Sequence, residues 1–214
     1  MTFRHLALSA FFLLLCAAEV GYAQAPTTPL NERQALSRQH QGDFDYLLGD
    51  WEFTGVRKTA NGPDQKLHGF AIAVRFPKGP EILVQDRLLN DDGSTFFESS
   101  TLMAYNAALD QWEVVSTGDG GPGVGLQDRG IAHRAGNEMH TEQHFGSMSP
   151  KPTIWHIRHY DIQPDRYSMV AERSTDGGRT WEGNYERIEM RRIGPARSLE
   201  PLIPDSPRAK TMGQ

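Results

Sequence analysis

The sequence predicts an all-β protein, an up-and-down antiparallel β-barrel of about ten strands with a short N-terminal helix. Turn signals built from Gly, Pro, Asn and Asp recur along most of the chain, and the segments between them have the length and the β-branched or aromatic content of strands. Almost no helical periodicity lies between these turns. Nine turns separate ten strands, and a chain of hairpins hides its strand edges by closing on itself. A closed barrel is therefore the simplest fold that satisfies all these observations.

Residues 1–23 are predicted to be a secretory signal peptide. Arg4 gives a short basic start, 6–18 is an apolar run, and Ala23 ends a small-residue cleavage pattern. The run is shorter than the roughly 20 apolar residues of a membrane-spanning helix, so we expect an exported protein, periplasmic or secreted, without membrane insertion after cleavage. The single cysteine, Cys16, lies in this segment, so the mature chain is expected to have no disulfide and no thiolate site.

One domain is predicted at 43–193, between a flexible leader at 24–42, which includes a weak helix, and a disordered tail at 194–214. The leader and the tail contain many proline or polar residues and few large apolar ones. The domain is long enough to bury one core without disulfides. The net charge of -5 is spread along the chain with no basic block, so nucleic acid is not expected as a partner. Nothing in the sequence indicates an oligomeric state.

The barrel is predicted to begin where a helical period changes to an alternating one. Phe44, Leu47 and Leu48 have the i, i+3, i+4 spacing of one apolar helical face. Gly49 ends that period, and Trp51 begins the alternation of the first strand. We therefore expect a helix or a turn that leads directly into β-structure.

Two later strands have faces of different kinds. In 67–76, large apolar residues such as Phe70 and Ile72 alternate with smaller ones, which is typical of a strand with one buried face. In 97–105, the face that contains Ser99 is apolar at its ends and hydroxylated in its middle. We interpret this face as outward and solvated, and the alternative is a lumen that holds water or a ligand of mixed polarity.

The most specific local motif is a predicted hairpin at 174–181, which has the Asp-box pattern Ser-x-Asp-x-Gly-x-Thr-Trp. In this pattern the acidic side chain accepts backbone N–H bonds across the turn, the glycines permit positive φ, and the tryptophan packs over the loop. Such boxes recur once per blade in sialidase-like propellers, whereas this chain has one copy, so we interpret the motif as structural. The residues assigned to it are Ser174, Asp176, Gly178, Thr180 and Trp181.

His140, Glu142 and His144 alternate along one predicted strand, so their side chains leave the same face about 7 Å apart. Two imidazoles and a carboxylate have the composition of a zinc or iron site. The opposite face, with Met139 and Phe145, is more apolar, which favours an outer, solvated position for the three candidates. A metal site is the alternative, and it would serve a metal-dependent or His/Glu-based hydrolase or isomerase that acts on a small substrate.

Aromatic residues near the strand starts favour a lumen that binds a small, mainly apolar ligand. A closed sheet of roughly eight to ten strands has an interior large enough for one small molecule or for its own side chains. Small residues such as Gly55, Gly69 and Ser116 beside large rings favour a cavity. The alternatives are a solidly packed structural or protein-interaction barrel and the hydrolase or isomerase described above, and no cofactor is indicated. The predicted ligand contacts are Trp51, Phe53, Trp112, Trp155 and Tyr185.

Three motifs together resemble an uncharacterised bacterial family of lipocalin-like domains, which belong with the calycin barrels. They are the Gly-x-Trp entry that ends at Trp51, the pair Tyr105 and Trp112 around an Asn-x-x-x-Asp turn, and the Asp-box followed by two arginines. The resemblance covers 43–193 and implies a single barrel, exported or cytosolic, with no agreed activity. Nitrobindins, calycins with a late haem-binding histidine, are more distant, and because 181–190 contains no histidine the resemblance implies no haem ligand here.

Overall fold

The structure is a computed structural model that describes residues 28–77, 79–117, 128–146 and 152–199 of the 214-residue chain. The predicted signal peptide and most of the predicted tail lie outside the described residues, so export and the tail boundary stay predictions. None of the helices in the described ranges has the length and the hydropathy that crossing a membrane requires.

Strands dominate the described part of the chain. Helix α1 spans Leu30–His40 and confirms the predicted short N-terminal helix, and a single 3₁₀ turn follows at Asp45–Leu47. The strands are β1 Gly49–Arg57, β2 Gln65–Arg75, β3 Ile82–Leu89, β4 Thr95–Asn106, β5 Gln111–Ser116, β6 Asp128–Ala135, β7 Glu138–Phe145, β8 Thr153–Tyr160, β9 Arg166–Ser174, β10 Glu182–Gly194 and β11 Arg197–Ser198.

Strands β1 to β10 close into a barrel. Each strand pairs antiparallel with the next, and β10 pairs back onto β1, which confirms the predicted ten-stranded antiparallel barrel. Strand β11 adds a two-residue parallel pair to β2. Because successive strands alternate in direction, β1, β3, β5, β7 and β9 all finish at one rim, which we call the loop end. The opposite rim, where β1 begins, is the plugged end.

A short segment, 43–48, covers the plugged end. Phe44 and Leu47 turn inward and form a core with Trp51 and Trp112, in which Phe44 is fully buried and each tryptophan is 1% exposed. The rings of Phe44 and Trp112 meet edge to face with their centroids 5.0 Å apart. The indole nitrogen of Trp51 donates a hydrogen bond to the Leu47 carbonyl at 2.7 Å. The predicted transition from turn to strand therefore also closes one end of the barrel.

Two arginines fasten this segment to the barrel wall. The Arg192 guanidinium lies 4.2 Å from the centre of the Trp51 ring and donates to the Tyr46 carbonyl at 3.0 Å. Arg134 of β6 donates to the Asp43 carbonyl at 3.0 Å. Carbonyl groups of an irregular segment have no strand partners, so these side-chain donors allow it to pack against the barrel.

The inner face of β2 carries its small residues rather than its large ones. Phe70 and Ile72 point outward, 46% and 39% exposed, whereas Gly69 and Ala71 are buried inside the barrel. A Cβ atom on Gly69 would lie 2.6 Å from the ring of Phe53 and 2.0 Å from a backbone oxygen of β3. This face is small because an aromatic ring of the neighbouring strand occupies the space beside it. The strand has one buried face, as the alternation predicted, and that face is the one with the smaller residues.

Candidate functional site

The barrel encloses a cavity of about 550 Å³, which lies within the size range of small-molecule sites. Side chains from β1 and from β3 to β10 line it, and Leu47 of the plugged end contributes to its wall. The other apolar side chains of the lining are Phe53, Val84, Leu88, Phe97, Met103, Val114, Phe145, Trp155, Ile157, Met169, Ile188 and Met190. Nearly as many lining residues are polar, so the lumen is amphipathic.

The hydroxylated face of β4 lies inside the barrel. Ser99 and Thr101 line the cavity, with Phe97 on the side of the loop end and Met103 on the side of the plugged end. The predicted outward position of this face is therefore wrong, and the alternative, a lumen of mixed polarity, is confirmed. The sequence was ambiguous here because the outer face of β4 is also mixed, with Glu98 among apolar side chains.

A histidine lies deep in the lumen, near the plugged end. His159 of β8 lines the cavity, and its Nδ1 is 2.5 Å from the Tyr46 hydroxyl, within hydrogen-bonding distance. Its ring also lies beside Tyr167, with the centroids 5.3 Å apart. Burial lowers the pKa of His159 from 6.5 to about 4, so the imidazole is neutral at pH 7. The alternation of β8 is the signal that could have found it, because His159 lies on the face opposite His156.

Three carboxylates and one arginine give the lumen its charge, and none of the four was predicted. Asp86 of β3 is hydrogen-bonded to Ser99, its partner across the β3–β4 pair. Burial raises the pKa of Asp86 from 3.8 to about 6, with Ser99 opposing the rise and Glu186 adding to it. Burial also raises the pKa of Glu186, although Arg57 lies 2.5 Å from its carboxylate and opposes the rise. Asp128 accepts a hydrogen bond from a backbone N–H just beyond β7 at 2.7 Å.

Two of the five predicted ligand contacts, Phe53 and Trp155, line the cavity. Trp51 and Trp112 lie instead in the core of the plugged end, because the segment 43–48 packs over that rim. Tyr185 lies beside Trp155, edge to face with the ring centroids 5.0 Å apart, so it supports a cavity residue and does not itself line the cavity.

The predicted metal candidates lie along the outer face of β7, where each histidine pairs with a carboxylate. The Nε2 of His140 lies 3.0 Å from Glu138, and the Nε2 of His144 lies 2.7 Å from Glu142. Within the described ranges no group of three histidine, cysteine or acidic side chains could hold a metal ion. His140, Glu142 and His144 therefore do not form such a group, because each histidine faces a carboxylate two residues before it on the same strand.

The hairpin between β9 and β10 is organised around its acidic side chain. Asp176 accepts hydrogen bonds from the backbone N–H and the hydroxyl of Thr180, at 2.9 and 2.7 Å, and from the Ser174 hydroxyl at 2.9 Å. These bonds lower the pKa of Asp176 to about 2. Gly178 has a positive φ of 85°, and its carbonyl accepts a bond from the Trp181 indole at 3.1 Å. None of these five residues lines the cavity.

Comparisons with known proteins show the fold. No protein-family model and no curated protein sequence matches the chain. Among solved structures, Rv2717c from M. tuberculosis superposes with a TM-score of 0.50 at 14% identity, over 71% of this chain and 95% of that one. The S-type phycobiliprotein lyase CPES from Guillardia theta gives a TM-score of 0.50 at 10% identity, over 81% and 100%. The chain has a lipocalin-like fold. At these identities the similarity extends to the barrel and not to an activity.

Proposed function

We propose that the protein reversibly binds one small, mainly apolar ligand inside the barrel. The observation that carries the proposal is the cavity of about 550 Å³ enclosed by ten paired strands. A drug-sized ligand fills a pocket of this size, and its apolar surface leaves water on binding, which contributes about 25 cal/mol per Å². Phe53 and Trp155 are the predicted contacts that the proposal retains.

The construction of the barrel explains why the cavity does not collapse. Every strand from β1 to β10 is paired on both sides, so the distance between opposite walls is fixed by the closed sheet. The inner face of β2 carries the small residues Gly69 and Ala71, and the Phe53 ring packs against Gly69 on this wall. The plugged end closes one rim with its own core, so the lumen needs no ligand to complete it.

The test uses N-phenylnaphthylamine, a neutral apolar dye that fluoresces strongly in apolar surroundings. We expect binding with a dissociation constant below about 100 μM, which corresponds to roughly −5.5 kcal/mol. Thr101→Phe adds a ring to the cavity wall and is expected to abolish binding. Ile131→Phe adds a ring on the exposed outer face and is the matched control, with binding unchanged.

Two outcomes would contradict ligand binding in the lumen. One is the absence of any fluorescence change with the wild-type protein up to about 100 μM protein, the weak end of useful affinity. The other is a Thr101→Phe variant that remains folded by circular dichroism and binds the dye as the wild type does, because the dye would then occupy a site outside the cavity.

The proposal also includes export and a structural hairpin. The n-, h- and c-regions of 1–23 support removal of a signal peptide, and intact-mass measurement on protein purified from its native source tests it. A mass that still contains 1–23 contradicts export. The hydrogen bonds of Asp176 support the Asp-box interpretation of 174–181. Asp176→Ala is expected to lower the melting temperature without changing dye affinity.

A further inference from the structure

The charges that line the lumen do not balance. Among the described lining residues Arg57 is the one permanently cationic side chain, whereas Asp86, Asp128 and Glu186 are carboxylates. His159 adds no charge at pH 7, because its buried imidazole is neutral. When all three carboxylates are ionised, one positive charge faces three negative ones and the lining carries an excess of two negative charges.

Arg57, the one permanently cationic side chain among the described lining residues, is already paired with a carboxylate. The Nε of Arg57 lies 2.5 Å from Oε2 of Glu186, whose side chain belongs to a residue only 5% exposed. Removing one partner from a buried ion pair leaves an uncompensated charge, which is strongly unfavourable. A ligand that carries a carboxylate would therefore find no unpaired cation among the described lining residues, and it would meet Asp86 as a like charge.

Asp86 is a lumen carboxylate that has no cationic partner among the described residues. It lines the cavity and is hydrogen-bonded to the Ser99 hydroxyl, and no ion pair among the described residues includes it. Asp128, by contrast, is occupied by a backbone N–H at the loop end. An ionised group that faces partly apolar walls without a counter-charge is stabilised by any cation that enters.

We propose that the lumen prefers a small organic cation, a protonated amine on an apolar body, over a carboxylate or a neutral molecule of the same shape, with Asp86 receiving the ammonium group. This inference rests on the proposed ligand binding and adds the charge of the ligand. The apolar body packs on Met103, Met169 and Met190, whose flexible side chains adapt to different shapes. An ammonium group donates up to three hydrogen bonds, and the Ser99 oxygen offers a second acceptor beside Asp86.

The test compares three ligands of one chain length, decylamine, decanol and decanoate, as competitors of N-phenylnaphthylamine at about pH 7.5. Under these conditions the amine is protonated, and both Asp86 and decanoate are mainly ionised. With the wild-type protein we expect decylamine to compete at least about tenfold more strongly than decanol. Decanoate is expected to compete more weakly than decanol.

Two isosteric variants separate Asp86 from the general charge of the protein. Asp86→Asn keeps the shape of the side chain, so decylamine is expected to fall to the level of decanol when both are measured against the dye affinity of that variant. Glu98→Gln is the matched control. It removes a carboxylate that pairs with Arg87 at 2.8 Å on the outer face of the same strand pair, and it is expected to keep the tenfold preference.

The outcomes distinguish this inference from the proposal on which it rests. Equal competition by decanoate and decylamine, or a preference that survives Asp86→Asn, overturns the cation preference and leaves dye binding intact. If the dye does not bind to the wild-type protein, ligand binding is overturned and the preference falls with it. The wild-type comparison needs no variant, so it decides the question even where Asp86→Asn fails to fold.

Discussion

The two ends of the barrel use aromatic residues in different ways. At the plugged end Trp51 and Trp112 are each 1% exposed and are packed under 43–48. At the loop end Trp155 lies between Phe145 and Tyr185, with centroid distances of 5.1 and 5.0 Å, and one side of it faces the cavity. The difference is that the described segment 43–48 packs over the tryptophans of the plugged end, whereas one side of the Trp155 ring borders the cavity.

Polar groups follow the same division. The plugged end satisfies its backbone carbonyls with Arg134 and Arg192, and its histidine is kept neutral. Further towards the loop end, Asp86 and Glu186 keep carboxylates inside the lumen. We therefore expect substitutions at the plugged end to reduce stability, and substitutions of the charged lumen residues to change binding or even increase stability.

The largest expected difference is between Trp112→Ala and Trp155→Ala. Removing the fully buried Trp112 ring leaves a cavity next to Phe44, and we expect a loss of about 3–5 kcal/mol in the free energy of unfolding by urea. Trp155 already borders an open cavity, so its removal is expected to cost about 1–2 kcal/mol and to weaken dye binding. Equal losses of stability for the two variants would contradict the contrast between the ends.

The next largest effect is the acid sensitivity of the plugged end. The folded-state pKa of His159 is lowered to about 4 from 6.5, so folding favours its neutral form. This stabilisation is complete above about pH 6.5 and is lost as the pH falls towards 4, by about 3 kcal/mol in total. His159→Gln is expected to remove that part of the acid dependence. The groups that face the ring are Tyr46 and Tyr167, which stay protonated throughout this range.

The measurement is the urea unfolding free energy at several pH values between about 4 and 7, taken as the difference between variant and wild type. His156→Gln is the control, because it exchanges an imidazole on the outer face that stacks on Trp181. If the difference between His159→Gln and wild type does not change across this range, His159 is not the neutral buried group that we describe.

The ten strands and the turn into β1 could be predicted because turn residues and apolar spacing are local signals. The charged residues that line the lumen could not be predicted in this way. Asp86 lies in a run of three polar residues with no alternation, so its face could not be assigned. In β10 the register shifts between Glu182 and Glu186, and the adjacent Tyr185 and Glu186 are both buried, against the alternation of a regular strand. The segment 43–48 is held at the plugged end by hydrogen bonds from Arg134 and Arg192. Both residues lie far from this segment in the sequence, so local patterns give no signal for these bonds.

Asp86 is expected to behave in the opposite sense to His159. Its folded-state pKa is raised to about 6 from 3.8, so its stabilising contribution is present below about pH 4 and is lost as the pH rises through 6. The full effect corresponds to about 3 kcal/mol, and the partial exposure of Asp86 reduces it to about 2 kcal/mol. Asp86→Asn is therefore expected to stabilise the protein at pH 7 and to be neutral near pH 4. Glu186, Arg57 and Tyr167 are the other ionisable groups near it.

Thermal unfolding at about pH 7 and pH 4 measures this effect, with Glu98→Gln as the control on the outer face. A destabilised Asp86→Asn at pH 7 would show that the carboxylate has a favourable partner in the folded protein. It would also weaken the case for a cationic ligand, because that case depends on an unmatched charge at Asp86.

The smallest expected effects come from deleting one hydroxyl at each end. Tyr46→Phe leaves the Nδ1 of His159 without its partner in an enclosed position, and we expect a loss of about 1 kcal/mol in the free energy of unfolding.

Ser116 accepts a hydrogen bond from Gln143 at 3.4 Å, which is near the upper limit of hydrogen-bonding distance. Both residues line the cavity, where water can replace the lost hydroxyl. Ser116→Ala is therefore expected to cost less than about 0.5 kcal/mol in urea unfolding. Because it makes the lumen more apolar, it should also bind N-phenylnaphthylamine at least as tightly as the wild type. A larger loss of unfolding free energy for Ser116→Ala than for Tyr46→Phe would contradict the contrast, because a hydroxyl in the lumen wall would then stabilise the fold more than one at the plugged end.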